Sequence, residues 1–273
     1  MDKIFKYLLV ILGVLLVGAI ALYGVYKRQF GTMHKFLKYL LIMLGVLLVV
    51  VVALYGVYKL MNSRTYQLFG TIVPRVNTQE KVVALTFDDA PTQYTGDVLN
   101  TLADENIHAT FYLIGQRIEE YPDVAKAIAD QGDELGNHSY SHQRMLLKSQ
   151  SFIDTEIQTT NKLIRDTGYT GEITFRPPNS KKLVGLPWYL WRHGIITIEA
   201  DVEPDTYYQG DVDKMISYTL ANTKPGSIIV MHPFCDGVCA SDREALPQII
   251  DGLKAEGYTF VTISELLQKG GIQ

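Results

Sequence analysis

The sequence predicts an α/β fold with parallel strands, preceded by one or two N-terminal transmembrane helix segments. Three observations carry this prediction. Two long apolar runs without charged residues open the chain of 273 residues; short β-branched runs alternate with helical stretches from Val82 onward; and glycines stand near the ends of those stretches. Such alternation is typical of a parallel sheet or barrel, and glycine is the usual residue just beyond a helix end.

The two apolar runs cover residues 7–26 and 39–58. About 20 apolar residues in a helix span the hydrocarbon core of a bilayer, which is roughly 30 Å thick. Tyrosines and lysines flank the runs, as at membrane interfaces. Residues 1–27 repeat as 33–59 with 19 identities. This indicates either a tandem duplication or a start assigned upstream of the true start at Met33. We expect an anchor rather than a cleaved signal peptide.

Charge is distributed unevenly along the chain. Residues 1–64 carry eight Lys/Arg and one acid, whereas residues 65–273 carry 17 Lys/Arg and 28 acids. The acidic body argues against nucleic acid as a partner, because phosphate binding needs clustered basic residues. Lysines before the second run favour the cytoplasm, which places the large domain on the extracytoplasmic face of the cell membrane. We therefore expect a membrane anchor over 1–60, a stalk over 61–80 and a catalytic domain over 81–273.

Seven strands and six helices are predicted in this domain. The strands are expected at 81–87, 108–114, 134–138, 173–176, 195–199, 227–232 and 258–263. The helices are expected at 95–105, 117–131, 152–167, 187–193, 212–222 and 243–256.

Polar side chains follow five of the predicted strands where each strand ends. They are Asp88, Asp89, His138, Arg176, Asp201, Glu203 and His232. In parallel α/β barrels the carboxyl ends of the strands carry the active site. We therefore expect these residues to meet at one site.

The residue types indicate a metal-dependent hydrolase. His138 and His142 are four residues apart, so on a helical turn they would share a face and bind one metal ion. One carboxylate of the Asp88–Asp89 pair would be the third metal ligand, and such a set leaves positions on the metal open for water and substrate. The other carboxylate would act as a base. The pair could equally be a solvated turn or helix cap, and the histidines could be surface residues.

Further roles are expected around this centre. His232 is a candidate acid, although a lone histidine at a strand end is more often structural. Arg176 would orient a carboxylate, or form a surface ion pair. Pro177 and Pro178 would preset the backbone N–H of Asn179 as an oxyanion donor.

Taken together, these motifs resemble the polysaccharide deacetylase family, also called the NodB-homology domain or carbohydrate esterase family 4. The resemblance covers residues 81–267 and rests on Thr86–Asp89, Gly136–His142, Arg176–Pro178 and the strand that ends in His232, in the family's order. It implies a distorted (β/α) barrel of about seven strands and metal-dependent removal of acetyl groups from a glycan.

The resemblance also implies a role for each residue. Asp88 would be the base, held by Arg176, and His232 would be the acid. Three residues would bind one divalent metal ion, most often Zn²⁺, with Co²⁺, Ni²⁺ and Mn²⁺ as alternatives: Asp89, His138 and His142.

Several positions depart from the family pattern. Ala90 stands in place of a glycine, Asn179–Ser180 in place of Tyr-Gly, and Ala200 in place of a tryptophan. Without gaps, Glu203 falls where the family aspartate tunes the acid histidine, and Asp201 is a competing candidate.

The expected function is removal of N-acetyl groups from a cell-surface glycan, with the N-acetylglucosamine of peptidoglycan as the favoured substrate. The alternatives are an O-acetyl esterase acting on a polysaccharide and a catalytically weak glycan-binding protein of the cell wall. Cys235 and Cys239 lie just after His232. Outside the cell we expect them to form a disulfide rather than free thiols or metal ligands.

Overall fold

The computed structural model describes residues 17–18, 24 and 34–272. The chain divides into two compact units, residues 1–59 and Leu60–Gln273. The predicted span at 7–26 lies outside the described residues, except for Val17, Gly18 and Gly24. Helix α1 (His34–Met61) contains the second predicted span. Within the part of the chain that is described, its portion Leu37–Met61 is long and apolar enough to cross a membrane.

Strands and helices alternate through the second unit, which we call the catalytic unit. The strands are β1 (Ile72–Val73), β2 (Val82–Ala90), β3 (Thr110–Leu113), β4 (Glu134–Asn137), β5 (Thr197–Ile198), β6 (Ile228–Met231) and β7 (Thr259–Phe260). The helices are α2 (Thr95–Asp104), α3 (Gly115–Glu120), α4 (Pro122–Asp130), α5 (Gln150–Asp166), α6 (Gly185–Arg192), α7 (Pro204–Tyr208), α8 (Val212–Asn222), α9 (Ala240–Ala255) and α10 (Ile263–Lys269).

The strands are parallel and follow a path that closes on itself. Five of them form a sheet in the order β4-β3-β2-β6, with β7 also paired to β2, and β1 pairs with β5. Single-residue bridges link these sheets. Phe175 bridges both Asn137 of β4 and Thr197 of β5, and Val202 bridges Ile229 of β6. The result is an irregular barrel of parallel strands, so the predicted fold class is confirmed.

Two predicted elements differ from the structure. The strand expected at 173–176 is reduced to the bridges made by Phe175. The helix expected at 117–131 is two helices, because α3 ends at Glu120 and α4 begins at Pro122. Proline lacks the N–H that a continuous helix needs and fits the first turn of a new one.

The segment 61–80, expected as a stalk, is folded into the catalytic unit, which begins at Leu60. Its strand β1 pairs with β5, and Val73 and Val76 are buried in a core cluster with residues of β2 and β6. The sequence did not predict this strand, because a strand of two residues leaves too short a pattern to detect. The expected boundary at residue 80 therefore does not separate two parts of the structure.

Lys182 connects this segment to the barrel. Its ammonium group is buried, lies 2.6 Å from the Glu199 carboxylate and donates to the carbonyl of Ser63 at 2.6 Å. The backbone N–H of Lys182 also donates to the carbonyl of Met61, at 3.3 Å. A buried charge is tolerated only when it is paired, so Lys182 and Glu199 depend on each other.

We expect Lys182→Met to lower the free energy of unfolding by about 3 kcal/mol, because it leaves the buried Glu199 carboxylate without its closest cation. Denaturant unfolding, followed by tryptophan fluorescence in detergent, measures the loss. Lys224→Met removes an exposed lysine and serves as the control. The double variant Lys182→Met/Glu199→Met should recover most of the stability. If Lys182→Met unfolded with the same free energy as the Lys224→Met control, the mutual dependence of Lys182 and Glu199 would be contradicted.

Candidate active site

Asp88 and Asp89 end strand β2, and an irregularity in that strand turns both carboxylates toward one pocket. Successive side chains of a strand point to opposite faces, so adjacent aspartates would normally separate. The register of β2 against β3 shifts between Asp88 and Ala90, and Asp89 has a φ of 69°. Bulges of this kind re-aim a side chain. Both residues consequently line a pocket of about 290 Å³.

Arg176 holds the Asp88 carboxylate. Its Nη1 lies 2.7 Å from Oδ1 of Asp88 and also donates to the Thr86 hydroxyl at 2.8 Å. The guanidinium packs over the Tyr112 ring, with 4.1 Å between Cζ and the ring centroid. Burial alone would raise the pKa of Asp88, but the charges of Arg176, His138 and His232 outweigh it and lower that pKa. Asp88 is therefore ionised and rigidly oriented.

His138 and His142 face each other, but not on a helical turn as expected. They lie in the loop that follows β4, with 5.0 Å between their ring centroids. His142 has a φ of 54°, which a helix excludes. The side chain of Asn137 accepts from the N–H of Ser139 at 2.7 Å. The buried Glu156 of α5 accepts from the next two backbone N–H groups and thereby shapes the loop.

Asp89, His138 and His142 form a cluster that suits a divalent metal ion. Their ligand atoms all lie within 4.8 Å of one another. Nδ1 of His138 is bonded to the carbonyl of Arg176 at 2.8 Å, so it carries the hydrogen and leaves the Nε2 lone pair for a metal. Oδ1 of Asp89 is buried without a hydrogen-bond donor. Burial and neighbouring His138 lower the pKa of His142, which favours the neutral imidazole that metals bind.

His232 lies close to Asp88 and is bound by Asp205. Its Nδ1 lies 2.9 Å from Oδ2 of Asp205, which also accepts the backbone N–H of His232 at 2.6 Å. Its Nε2 is 3.8 Å from Oδ2 of Asp88. Burial opposes the charged form of His232, but the hydrogen bond and charge of Asp205 outweigh it and raise the pKa to about 10. His232 is therefore a protonated donor at neutral pH.

Known proteins resemble this chain in sequence and in fold. The sequence profile described as polysaccharide deacetylase matches residues 75–195. A peptidoglycan-N-acetylglucosamine deacetylase of Bacillus cereus is 31% identical over 188 residues, which cover 68% of this chain and 68% of that protein. The chain belongs to the polysaccharide deacetylase family.

Two further relatives extend the comparison. A bifunctional xylanase/deacetylase of Pseudobutyrivibrio xylanivorans is 35% identical over 72% of this chain, which spans only 32% of that longer protein. The crystal structure of the Bc1960 peptidoglycan N-acetylglucosamine deacetylase superposes with a TM-score of 0.67 and 28% identity, covering 73% of this chain and 94% of that one. These similarities confirm the family resemblance and the NodB-like fold of this polysaccharide deacetylase family member.

Asp205 is the residue that contacts the candidate acid, His232. The two residues predicted from the sequence for this contact, Glu203 and Asp201, are therefore wrong. Glu203 lines the pocket but pairs with Arg64, with 2.7 Å between Nη1 and Oε1. Asp201 binds the amino end of β6 instead, because its Oδ1 accepts the N–H of Ile228 at 2.9 Å. An ungapped alignment cannot foresee that helix α7 begins at Pro204 and carries Asp205 toward His232.

Arg64 is a pocket residue that sequence reasoning missed, since it lies only three residues after α1. Besides Glu203, its Nη1 contacts the Ser180 hydroxyl at 2.8 Å and lies 3.5 Å from the Glu199 carboxylate. The only advance signal was its position at the end of the basic N-terminal segment. In this deacetylase family member, the segment after α1 supplies part of the pocket wall.

Two short turns complete the surroundings. Asn179 lines the pocket from the turn Pro178–Ser180, with a φ of 53° and its side-chain oxygen accepting from Arg144 at 2.7 Å. The expected disulfide between Cys235 and Cys239 is present. Together with Phe234, both cysteines line an adjoining pocket that reaches His232 and Asp89.

We expect Asp205→Asn to move the alkaline limb of the pH–rate profile to lower pH, by on the order of one pH unit or more. An acid works only while protonated, so activity falls as pH rises through the pKa of His232. Asp205 raises that pKa, and a neutral asparagine does not. The position of the alkaline limb is measured by determining kcat/KM over a range of pH values. Asp201→Asn is the matched control, and a shift in the control but not in Asp205→Asn would contradict the assignment.

Proposed function

We propose that this protein is a metal-dependent N-deacetylase that hydrolyses acetamido groups of N-acetylglucosamine in peptidoglycan. The observation that carries the proposal is the convergence of three groups in one pocket: the Asp89/His138/His142 cluster, the Arg176-bound Asp88 and the Asp205-bound His232. Hydrolysis of an amide needs an activated water, an acid for the leaving amine and a means of stabilising the oxyanion.

The metal-binding residues are Asp89, His138 and His142, with Zn²⁺ as the favoured ion, because two imidazoles and one carboxylate suit zinc. Co²⁺, Ni²⁺ and Mn²⁺ are alternatives. When bound, the metal supplies Lewis acidity toward the acetyl carbonyl and the attacking water.

Asp88 is the proposed base. Its Oδ1 is engaged by Arg176, so Oδ2 is the atom available to accept a proton. That oxygen lies 3.7 Å from Nε2 of His138 and 3.8 Å from Nε2 of His232, at the centre of the pocket. The low pKa of Asp88 keeps the carboxylate free to accept that proton.

His232 is the proposed acid. Asp205 holds Nδ1, so the proton on Nε2 is the one that points into the pocket and is given to the departing amine. The backbone N–H of Asn179 is the proposed oxyanion donor, since the Pro177–Pro178 pair fixes the turn that presents it. Arg176 is a positioning residue that acts through Asp88.

The substrate and the location follow from the N-terminus and from relatives. Helix α1 would anchor the protein to the cell membrane, with the catalytic unit on the extracytoplasmic, cell-wall side. The Bacillus cereus relative is named for peptidoglycan N-acetylglucosamine. We keep residues 1–60 as the anchor, with 7–26 and 39–58 as its two copies, and assign catalysis to the remainder of the chain.

Acetate release from N-acetylglucosamine oligomers and from peptidoglycan fragments tests the proposal. The full chain in detergent is treated with a chelator and then with added Zn²⁺. We expect release that the chelator abolishes and zinc restores. Release from an O-acetylated but not an N-acetylated oligosaccharide would make the protein an O-acetyl esterase. Binding of the glycan with no release from either would make it a glycan-binding protein.

A further inference from the structure

Three aromatic rings form a partly exposed cluster on the catalytic unit, and none of them lines either pocket. We call Phe69, Trp188 and Trp191 the aromatic patch. The ring centroids of Phe69 and Trp188 are 5.0 Å apart, and those of Trp188 and Trp191 are 5.1 Å apart. Trp188 is 38% exposed and Trp191 is 51% exposed. Large indole surfaces in contact with water mark a site of interaction rather than a core.

The border of the patch is apolar on two sides and basic on a third. Leu68 precedes Phe69 and is exposed, and the exposed Val184 lies one helical turn before Trp188. The guanidinium of Arg192 stands 6.0 Å from the Trp188 ring centroid. Tryptophan, aliphatic side chains and arginine together are the composition of proteins at the boundary between lipid headgroups and acyl chains.

The backbone ties the patch to the end of α1. Met61, the last residue of α1, accepts a hydrogen bond at its carbonyl from the N–H of Lys182, and α6 with both tryptophans begins three residues later at Gly185. Phe69 follows Met61 by eight residues, a length that reaches at most about 28 Å. Both halves of the patch are therefore linked to Met61 through short stretches of chain, one directly and one through Lys182.

We propose that the aromatic patch inserts into the interfacial zone of the same bilayer that α1 crosses. The proposal rests on the membrane anchoring proposed above. The bilayer is favoured over a glycan or a second copy of the chain, because the patch cannot move far from the end of α1 and has an arginine at its edge. A second attachment restricts rotation of the catalytic unit about that helix end.

Tryptophan fluorescence tests this docking directly, because the chain has only two tryptophans and both belong to the patch. The full chain is reconstituted into phosphatidylcholine vesicles with bromine high on the acyl chains, and into unbrominated vesicles. We expect at least about a twofold loss of emission with bromine, since docked apolar faces lie roughly 5–10 Å into the headgroup boundary. Trp188→Phe and Trp191→Phe, examined singly, should each retain this quenching.

A matched reporter excludes non-specific collisions with lipid. Tyr207 is 61% exposed and lies outside the patch. In the Trp188→Phe/Trp191→Phe background, the Tyr207→Trp reporter should keep its emission in brominated vesicles. Equal quenching of both reporters, or no quenching of the patch, would overturn the proposal. Emission that changes on adding an N-acetylglucosamine oligomer but not on adding bromine would also overturn it, in favour of a glycan platform.

Two measurements on the same vesicles test the membrane anchor and the deacetylase activity separately from docking of the aromatic patch. Pelleting with the vesicles after a carbonate wash reports the anchor, and acetate release reports the enzyme. Quenching without acetate release supports the patch and contradicts the deacetylase activity. Retained pelleting and acetate release without quenching support the anchor and the enzyme and overturn the patch.

Discussion

Asp88→Asn is expected to lower acetate release by about three orders of magnitude while the metal content stays unchanged. Asparagine keeps an oxygen that can accept from Arg176, so the carboxamide should take the place of the carboxylate at 2.7 Å from Nη1. It has no basic oxygen with which to take a proton from water. The metal ligands assigned here do not include Asp88, so zinc bound per chain, measured by elemental analysis, should remain near that of the native protein.

Asp97→Asn is the control for this change, because Asp97 is an exposed aspartate of α2 whose carboxylate lies 3.8 Å from Arg243 and does not line the pocket. It should release acetate at the native rate. Full activity of Asp88→Asn would show that another group takes the proton. Loss of zinc from Asp88→Asn would show instead that Asp88 is a ligand, and the roles of the two adjacent aspartates would be exchanged.

His138→Ala is expected to lose both the metal and the activity. The change removes one of the three proposed ligands and the bond from Nδ1 to the carbonyl of Arg176, which orients the ring. Zinc stoichiometry and acetate release should fall together. Thermal unfolding adds a readout that does not depend on catalysis, because a ligand present at 1,000 times its Kd stabilises the native state by about 4 kcal/mol.

We expect zinc to raise the melting temperature of the native protein and to leave that of His138→Ala unchanged. A variant that failed to fold would instead show no cooperative transition at all, so folding and ligation are separated. His108→Ala removes an exposed histidine far along the sequence from the cluster and should respond to zinc as the native protein does. Native zinc stoichiometry in His138→Ala would contradict the proposed ligand set.

The sequence contained enough information to predict most of the proposed catalytic and metal-binding residues that meet at the pocket. Asp88, Arg176 and His232 each follow a run of β-branched or apolar residues, and His138 ends the strand predicted at 134–138. Parallel strands bring their carboxyl ends to one face. This rule needs no knowledge of contacts between distant parts of the chain. The disulfide between Cys235 and Cys239 was predictable for a similar reason, since the two cysteines are only four positions apart.

The details that decide the geometry were not predictable in this way. The bulge that places Asp89 beside Asp88 depends on the pairing of β2 with β3, and the loop that carries His142 depends on Glu156 from a later helix. The choice of Asp205 over Glu203 depends on where α7 starts. Each involves a partner many residues away, and local residue patterns carry no signal for such contacts.

The position of Arg64 has a consequence for any proteolytic release of this protein from the membrane to which α1 is proposed to anchor it. A cut between Lys59 and Leu60 would free the catalytic unit with its pocket wall complete. A cut only a few residues later, after Arg64, would remove the guanidinium that lies against Glu203 and Glu199, together with the Ser63 carbonyl that binds Lys182. Shedding at that point would leave Glu203 without its cation and Glu199 with Lys182 alone, so release would also change the charge of the pocket wall.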